Sequence, residues 1–186
     1  MQIRIYRNPV ISYLLPRHFL EDVERISRRY VEVKGTSDYL RWFQSWYLCA
    51  RAFTMYYART EEDGYEAWER VHKKVWDSGW PEYELLTIGD HRFHMVHSSV
   101  REKGKNPSYG SMLSARLSKK IQDRSKGNIF VLAALDIPYV DIVGWLPKAE
   151  LGKCLSRGAY YLKEPDLKPM AECPGLSRRD NKRWYV

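Results

Sequence analysis

Two apolar stretches on either side of a basic connection set the pattern of this chain. Residues 83–99 read YELLTIGDHRFHMVHSS and break at Gly89-Asp90, a dipeptide suited to a tight turn because glycine reaches positive φ and Asp accepts turn hydrogen bonds. The run predicts a hairpin. After the turn, side chains alternate between faces, so Phe93, Met95 and His97 share one face while Arg92, His94 and Val96 share the other. Residues 128–145 read NIFVLAALDIPYVDIVGW, rich in Val, Ile and aromatics and interrupted at Asp136 to Pro138, where proline removes a ladder donor. This predicts a second hairpin, and the two together supply about four strands of one sheet.

Upstream the period becomes helical. After a short alternation at Ile3, Arg4, Ile5 and Tyr6 that predicts an edge strand, Phe19, Val23, Ile26 and Tyr30 recur on one helical face from Pro16 onward, and Gly35 offers a stop. Ser37 is the predicted N-cap of the next helix, with Asp38 in its first turn. Residues 39–58, YLRWFQSWYLCARAFTMYYA, are apolar on almost every side, as a helix buried against a sheet would be. Glu61 to Asp77 predicts a third helix that turns Tyr65, Trp68, His72 and Val75 inward and ends at Gly79, Trp80 and Pro81. Between the hairpins, Gly104 to Gly110 has no regular period, and Ser111 to Arg124 predicts a short helix packing Met112, Leu117 and Ile121. A helix start at Pro147 to Leu151, a last strand at Ala159 to Leu162 and a surface run from Pro165 to Met170 complete the chain. The expectation is an α/β or α+β domain over residues 1–176, N-terminal helices on a mixed sheet of four or five strands, followed by a basic tail at 177–186.

Composition narrows the partner. The 186 residues carry a formal charge of +8, and 44% are hydrophobic, enough for one core. Such a balance favours nucleic acid or an acidic protein surface. From Arg101 to Asn128 there are Arg101, Lys103, Lys105, Arg116, Lys119, Lys120, Arg124 and Lys126 against Glu102 and Asp123, eight positive minus two negative, so +6 of the +8 lies in one connection. A charge run is commonly a solvated face, but this density and the interleaved Tyr109 point to phosphate contact by Lys103, Lys105, Arg116, Lys119, Lys120 and Arg124. In the tail, Arg178, Arg179, Lys182 and Arg183 are either a second electrostatic contact or an unfolded end. Cys49, Cys154 and Cys173 are odd in number and lack CxxC spacing, which predicts neither a disulfide framework nor a zinc site and fits a cytoplasmic setting. No stretch approaches the ~20 apolar residues that cross a bilayer, and no secretory signal core opens the chain, so no membrane partner is expected. His91, His94 and His97, three apart, would suit a helix face better than a strand as a metal site.

Taken in order, Gly89-Asp90, Met95-Val96-His97 with Ser98-Ser99, Ile129 to Leu132, Ile142 to Trp145 and Ala159-Tyr160-Tyr161 form a series. Over roughly residues 82–170 it resembles phage-encoded proteins of the PD-(D/E)XK nuclease-like class. The resemblance implies a nuclease-like fold in which acids hold Mg2+ or Mn2+ and a lysine assists the attacking water, the arrangement of metal-assisted phosphodiester hydrolysis. By this resemblance Asp90 is the metal ligand, Met95 stands in the place of the second acid and His97 in that of the lysine. A thioether is a soft ligand and does not replace a carboxylate for a hard cation. The helix at 39–58 carries no Asp or Glu that would add one. The resemblance therefore implies a nucleic-acid-binding protein, DNA first, with an incomplete metal site, acting in a host cytoplasm if phage-encoded. Two alternatives stand beside it: an active endonuclease whose site draws on Glu82, Glu84, Asp90 and Asp141 with His97 or a nearby lysine, and a phage protein that inhibits a host protein through its aromatic-rich helices.

Overall fold

The computed structural model describes residues 10–58, 61–79, 84–99 and 114–176. Their elements run β1 (Ile11–Leu14), α1 (Arg17–Lys34), α2 (Leu40–Tyr57), α3 (Glu61–Ser78), β2 (Glu84–Ile88), β3 (His91–Ser99), β4 (Ser114–Ser118), α4 (Lys119–Arg124), β5 (Ile129–Asp136), β6 (Tyr139–Pro147), β7 (Leu155–Ser156) and β8 (Ala159–Lys163), with short 3-10 turns after β6 and β8. The fold is α+β. A five-stranded sheet has the order β1-β6-β5-β3-β2, and a three-stranded sheet the order β4-β8-β7. Both predicted hairpins form, and they join through a parallel pairing that sets Phe93 opposite Ile129 and His97 opposite Ala133. All other neighbours in the large sheet are antiparallel, so it is mixed.

The sheet separates two cores. On one face Phe93, Met95, Val131, Ala133 and Ile142 meet the three long helices, with α2 in the centre. Phe43, Trp46, Tyr47 and Phe53 of α2 are fully buried, and Phe53 packs on Phe93 with ring centroids 5.6 Å apart. Each such burial contributes roughly 1.5–3 kcal/mol, which is why a helix without a polar face is stable here. On the other face Val96, Phe130, Leu132 and Leu146 pack against Leu117 of β4 and Leu162 of β8, with Leu151 and Cys154 from the 3-10 turn between them. The alternation expected for β3 thus holds, and the small sheet forms a third layer.

Several boundaries differ from the sequence expectations. The edge strand is Ile11–Leu14, paired with β6, whereas Ile3 to Tyr6 lies outside the described residues. The cap of α2 is Tyr39 at φ 62°, not Ser37, and α1 ends as expected at Gly35, whose N–H bonds the Val31 carbonyl at 2.8 Å. Tyr65 is exposed, and Val71 takes the inward place on α3. Residues 114–118 form a strand rather than the first turns of a helix, because Arg116 and Leu117 take opposite faces when β8 is there to pair with them. Pro147 precedes a 3-10 turn at Lys148–Cys154 and is its cap. Pro165 to Met170 does not simply cross the surface: Leu167 and Met170 are buried, and Trp145 donates its indole N–H to the Pro169 carbonyl at 3.0 Å. Among the described residues no helix is long and apolar enough to cross a membrane.

Candidate nucleic-acid interface

The acids and histidine that the endonuclease alternative would draw on do not converge among the described residues. Asp90 is exposed at the β2–β3 turn, where its backbone carbonyl accepts from the Asn128 side chain at 3.1 Å. His97 lies six residues beyond the start of β3, roughly 20 Å away at the ~3.3 Å rise of a strand. Glu84 begins β2 with its Cα opposite His94, three residues short of His97. Asp141 sits on the opposite face of the sheet from His97, buried, and accepts the Ser12 hydroxyl at 2.6 Å. Glu82 lies outside the described residues. No three His, Cys, Asp or Glu side chains converge as a metal-binding group among the described residues.

His97 packs under Trp42 of α2, the two rings 5.4 Å apart. Burial lowers its pKa from the ordinary 6.5 to about 4, with the Trp42 backbone pulling weakly the other way, so the imidazole is neutral at pH 7. It therefore brings no cation to a phosphate. His94 is a satisfied core residue, its Nδ1 2.8 Å from the Ser125 hydroxyl and its ring against Phe130. Within the helices, Arg51 pairs with Asp22 and lies over the Phe19 ring, while the Tyr47 hydroxyl meets His72 Nδ1 at 3.0 Å. Burial raises Tyr47 to about 12, so this network braces α1, α2 and α3 in neutral and paired forms.

A different constellation forms on the small sheet. Leu117 and Leu162 point to the core, so the alternate residues of β4 and β8 point away from it. Arg116 stands directly opposite Tyr161, and Lys163 pairs with Ser114 at one end of the ladder. At the other end Ser118 pairs with Ala159, next to the two-residue turn Arg157-Gly158 that joins β7 to β8, and Lys119 follows. Arg157 holds φ 48° and Gly158 φ 77°, the twist that a two-residue hairpin needs. Glycine meets that demand freely, whereas Arg at positive φ is strained. Arg116, Lys119, Arg157 and Lys163 are all exposed, and none has an ion-pair partner among the described residues.

An open groove of about 480 Å³ runs along this face, lined by Lys153, Ser156, Arg157, Tyr161, Lys163 and Asp166. Lys153 is held by Glu150 at 2.9 Å, and Glu150 also accepts from Lys168 at 2.5 Å. Those two ammonium groups, Lys168 first, keep the Glu150 carboxyl below its usual range. Cys154 also lines the groove, buried, and burial, followed by the charge of Asp166, raises its pKa. Among the described residues, the four cations without an ion-pair partner against Asp166 give four minus one, a local charge of +3. Along β8 from Ala159 to Lys163 they span about 13 Å, the axial length of roughly four phosphates of one duplex strand.

Of the basic residues singled out in the sequence, Arg116 lies on this face, and Lys119, exposed, follows at its edge as the first residue of α4. Lys120 and Arg124 belong to α4, directly after β4. Lys103 and Lys105 lie outside the described residues. Arg157, Tyr161 and Lys163 join this face without having been singled out in the sequence, although Arg157-Gly158 is a turn signal and Tyr161 and Lys163 share the parity of one strand face. No protein-family model matches the sequence, and neither a curated protein nor a solved structure is significantly similar to it.

Proposed function

We propose that this chain binds nucleic acid, DNA being the first polymer to test, through the exposed face of the β4-β8-β7 sheet. The observation that carries the reading is the grouping of Arg116, Arg157 and Lys163 around Tyr161 on a rigid ladder, with Lys119 at its edge, none of them with an ion-pair partner among the described residues. Surface cations ordinarily find acidic neighbours or stand scattered in water. Four at one face and its edge, without ion-pair partners among the described residues, repel one another, and a polyanion relieves that repulsion while releasing its own counterions. The contacts address phosphate, so affinity is salt-dependent and carries little base readout.

Binding without hydrolysis is the better fit to the geometry than an active endonuclease, because Asp90 and His97 sit at opposite ends of β3 and His97 is neutral. This is the incomplete-site version of the nuclease-like reading. The test is fluorescence anisotropy of labelled single- and double-stranded DNA and RNA with the full chain and with Arg116→Glu/Lys163→Glu. Charge reversal at both positions weakens every complex more than tenfold if the face is right. Unchanged affinity in that variant, with its fold intact by circular dichroism, would remove the assignment.

A further inference from the structure

The groove beside Tyr161 is not built for phosphate alone. A uniformly basic channel would hold phosphates along its whole length, yet Asp166 and Ser156 line this one together with the cations. A carboxylate repels phosphate but accepts hydrogen bonds from an exocyclic amino group or a ring N–H, which are found on bases. Tyr161 is partly exposed and stands on β8, the middle strand of its sheet, so its backbone is held by β4 on one side and its neighbours Tyr160 and Ala159 by β7 on the other. Such a ring is a preorganised stacking surface. The volume of about 480 Å³ falls in the range of ~300–1,000 Å³ typical of small-ligand sites.

We propose that this groove receives one unpaired base of a single-stranded nucleic acid, stacked on Tyr161, while Arg116, Arg157 and Lys163 hold the flanking phosphates; the inference rests on the nucleic-acid reading above. A base inside a duplex is already stacked and paired, so it enters only at the cost of unstacking. The site therefore distinguishes single strands from duplexes without reading sequence strongly.

The experiment uses a short single-stranded DNA carrying one 2-aminopurine, whose fluorescence falls on stacking, and a hairpin duplex of related sequence. With the unmodified protein, binding quenches the 2-aminopurine and the single strand binds more tightly than the hairpin. Tyr161→Leu abolishes the quenching and weakens the single strand roughly 5- to 100-fold, Tyr161→Phe restores both, and the salt dependence stays unchanged because no phosphate contact is lost. The absence of quenching in the unmodified complex, or single-strand affinity unaffected in Tyr161→Leu, would overturn the base site. If Arg116→Glu/Lys163→Glu still weakens binding in that case, the phosphate surface stands and only the base site is lost. If no oligonucleotide binds, both fall. Should Tyr161→Leu not fold, the quenching measured with the unmodified protein decides alone.

Discussion

Arg157→Asn is expected to make the protein more stable and a weaker binder at the same time. Arg157 occupies the first central position of the β7–β8 turn at φ 48°, ahead of Gly158. For an ordinary L-residue that conformation costs roughly 1–2 kcal/mol, whereas Asn reaches it more easily because its short amide bonds the local backbone. Relieving part of the strain stabilises by about 0.5–1 kcal/mol, a rise in melting temperature of about 1–4 °C for a chain of 186 residues. The same change removes one of four cations from the exposed face. At a slope of ~0.7 per phosphate contact on single strands, one lost contact lowers affinity about fivefold at 0.1 M salt. Calorimetric melting and anisotropy on the same preparation read both quantities. A variant that melts lower would show that the arginine side chain itself holds the turn. A variant that melts higher and binds as tightly would show that Arg157 is strained for no electrostatic purpose, which refutes the reasoning.

Two further predictions concern the framework. A Cβ at Gly144 would lie 2.8 Å from the Lys168 carbonyl oxygen and 2.9 Å from the Leu167 Cβ, where β6 is bonded on both sides of Lys168 at 2.9 and 3.0 Å, so Gly144→Ala costs about 1–3 kcal/mol. A lower urea midpoint at unchanged m-value is the expected reading, and an unchanged midpoint would mean that this segment does not press on the sheet. His97 has a folded pKa of about 4 against 6.5 ordinarily, so the unfolded chain takes up the proton first as the pH falls. Its contribution is complete above pH 6.5 and is lost progressively toward pH 4. His97→Phe flattens that part of the stability profile, and an equally steep profile in the variant would place the titration elsewhere.

The large sheet was legible because its strands are marked locally. Gly89-Asp90 and Asp136 to Pro138 punctuate two apolar runs, and the 3.6-residue period of Phe19, Val23, Ile26 and Tyr30 needs no partner to be recognised. The buried character of α2 followed from its lack of a polar face in the same way. Residues 11–14 escaped notice because four residues next to a proline carry too little alternation to stand out. The misreading of 114–118 has the same origin as the incomplete view of the basic face. Leu117 and Ile121 are four apart, which suits a helix, and only the pairing with β8 some forty residues later makes Leu117 and Arg116 opposite faces of a strand. That pairing brings Tyr161, Lys163 and Arg157 beside Arg116 and Lys119, a neighbourhood that no window of sequence contains. The spacing of Asp90 and His97 follows from the same geometry: they are close in sequence, but an extended strand separates what a helix would have brought together.

The salt dependence of binding tests the central claim most directly. Plotting the logarithm of the association constant for a single-stranded oligonucleotide against the logarithm of salt concentration gives one line for the unmodified protein. A second line comes from the variant Arg116→Gln/Lys119→Gln/Arg157→Asn/Lys163→Gln. Four contacts at ~0.7 each make the first line steeper by about 2.8, whatever the rest of the chain adds to both. Parallel lines would show that the small sheet does not touch phosphate.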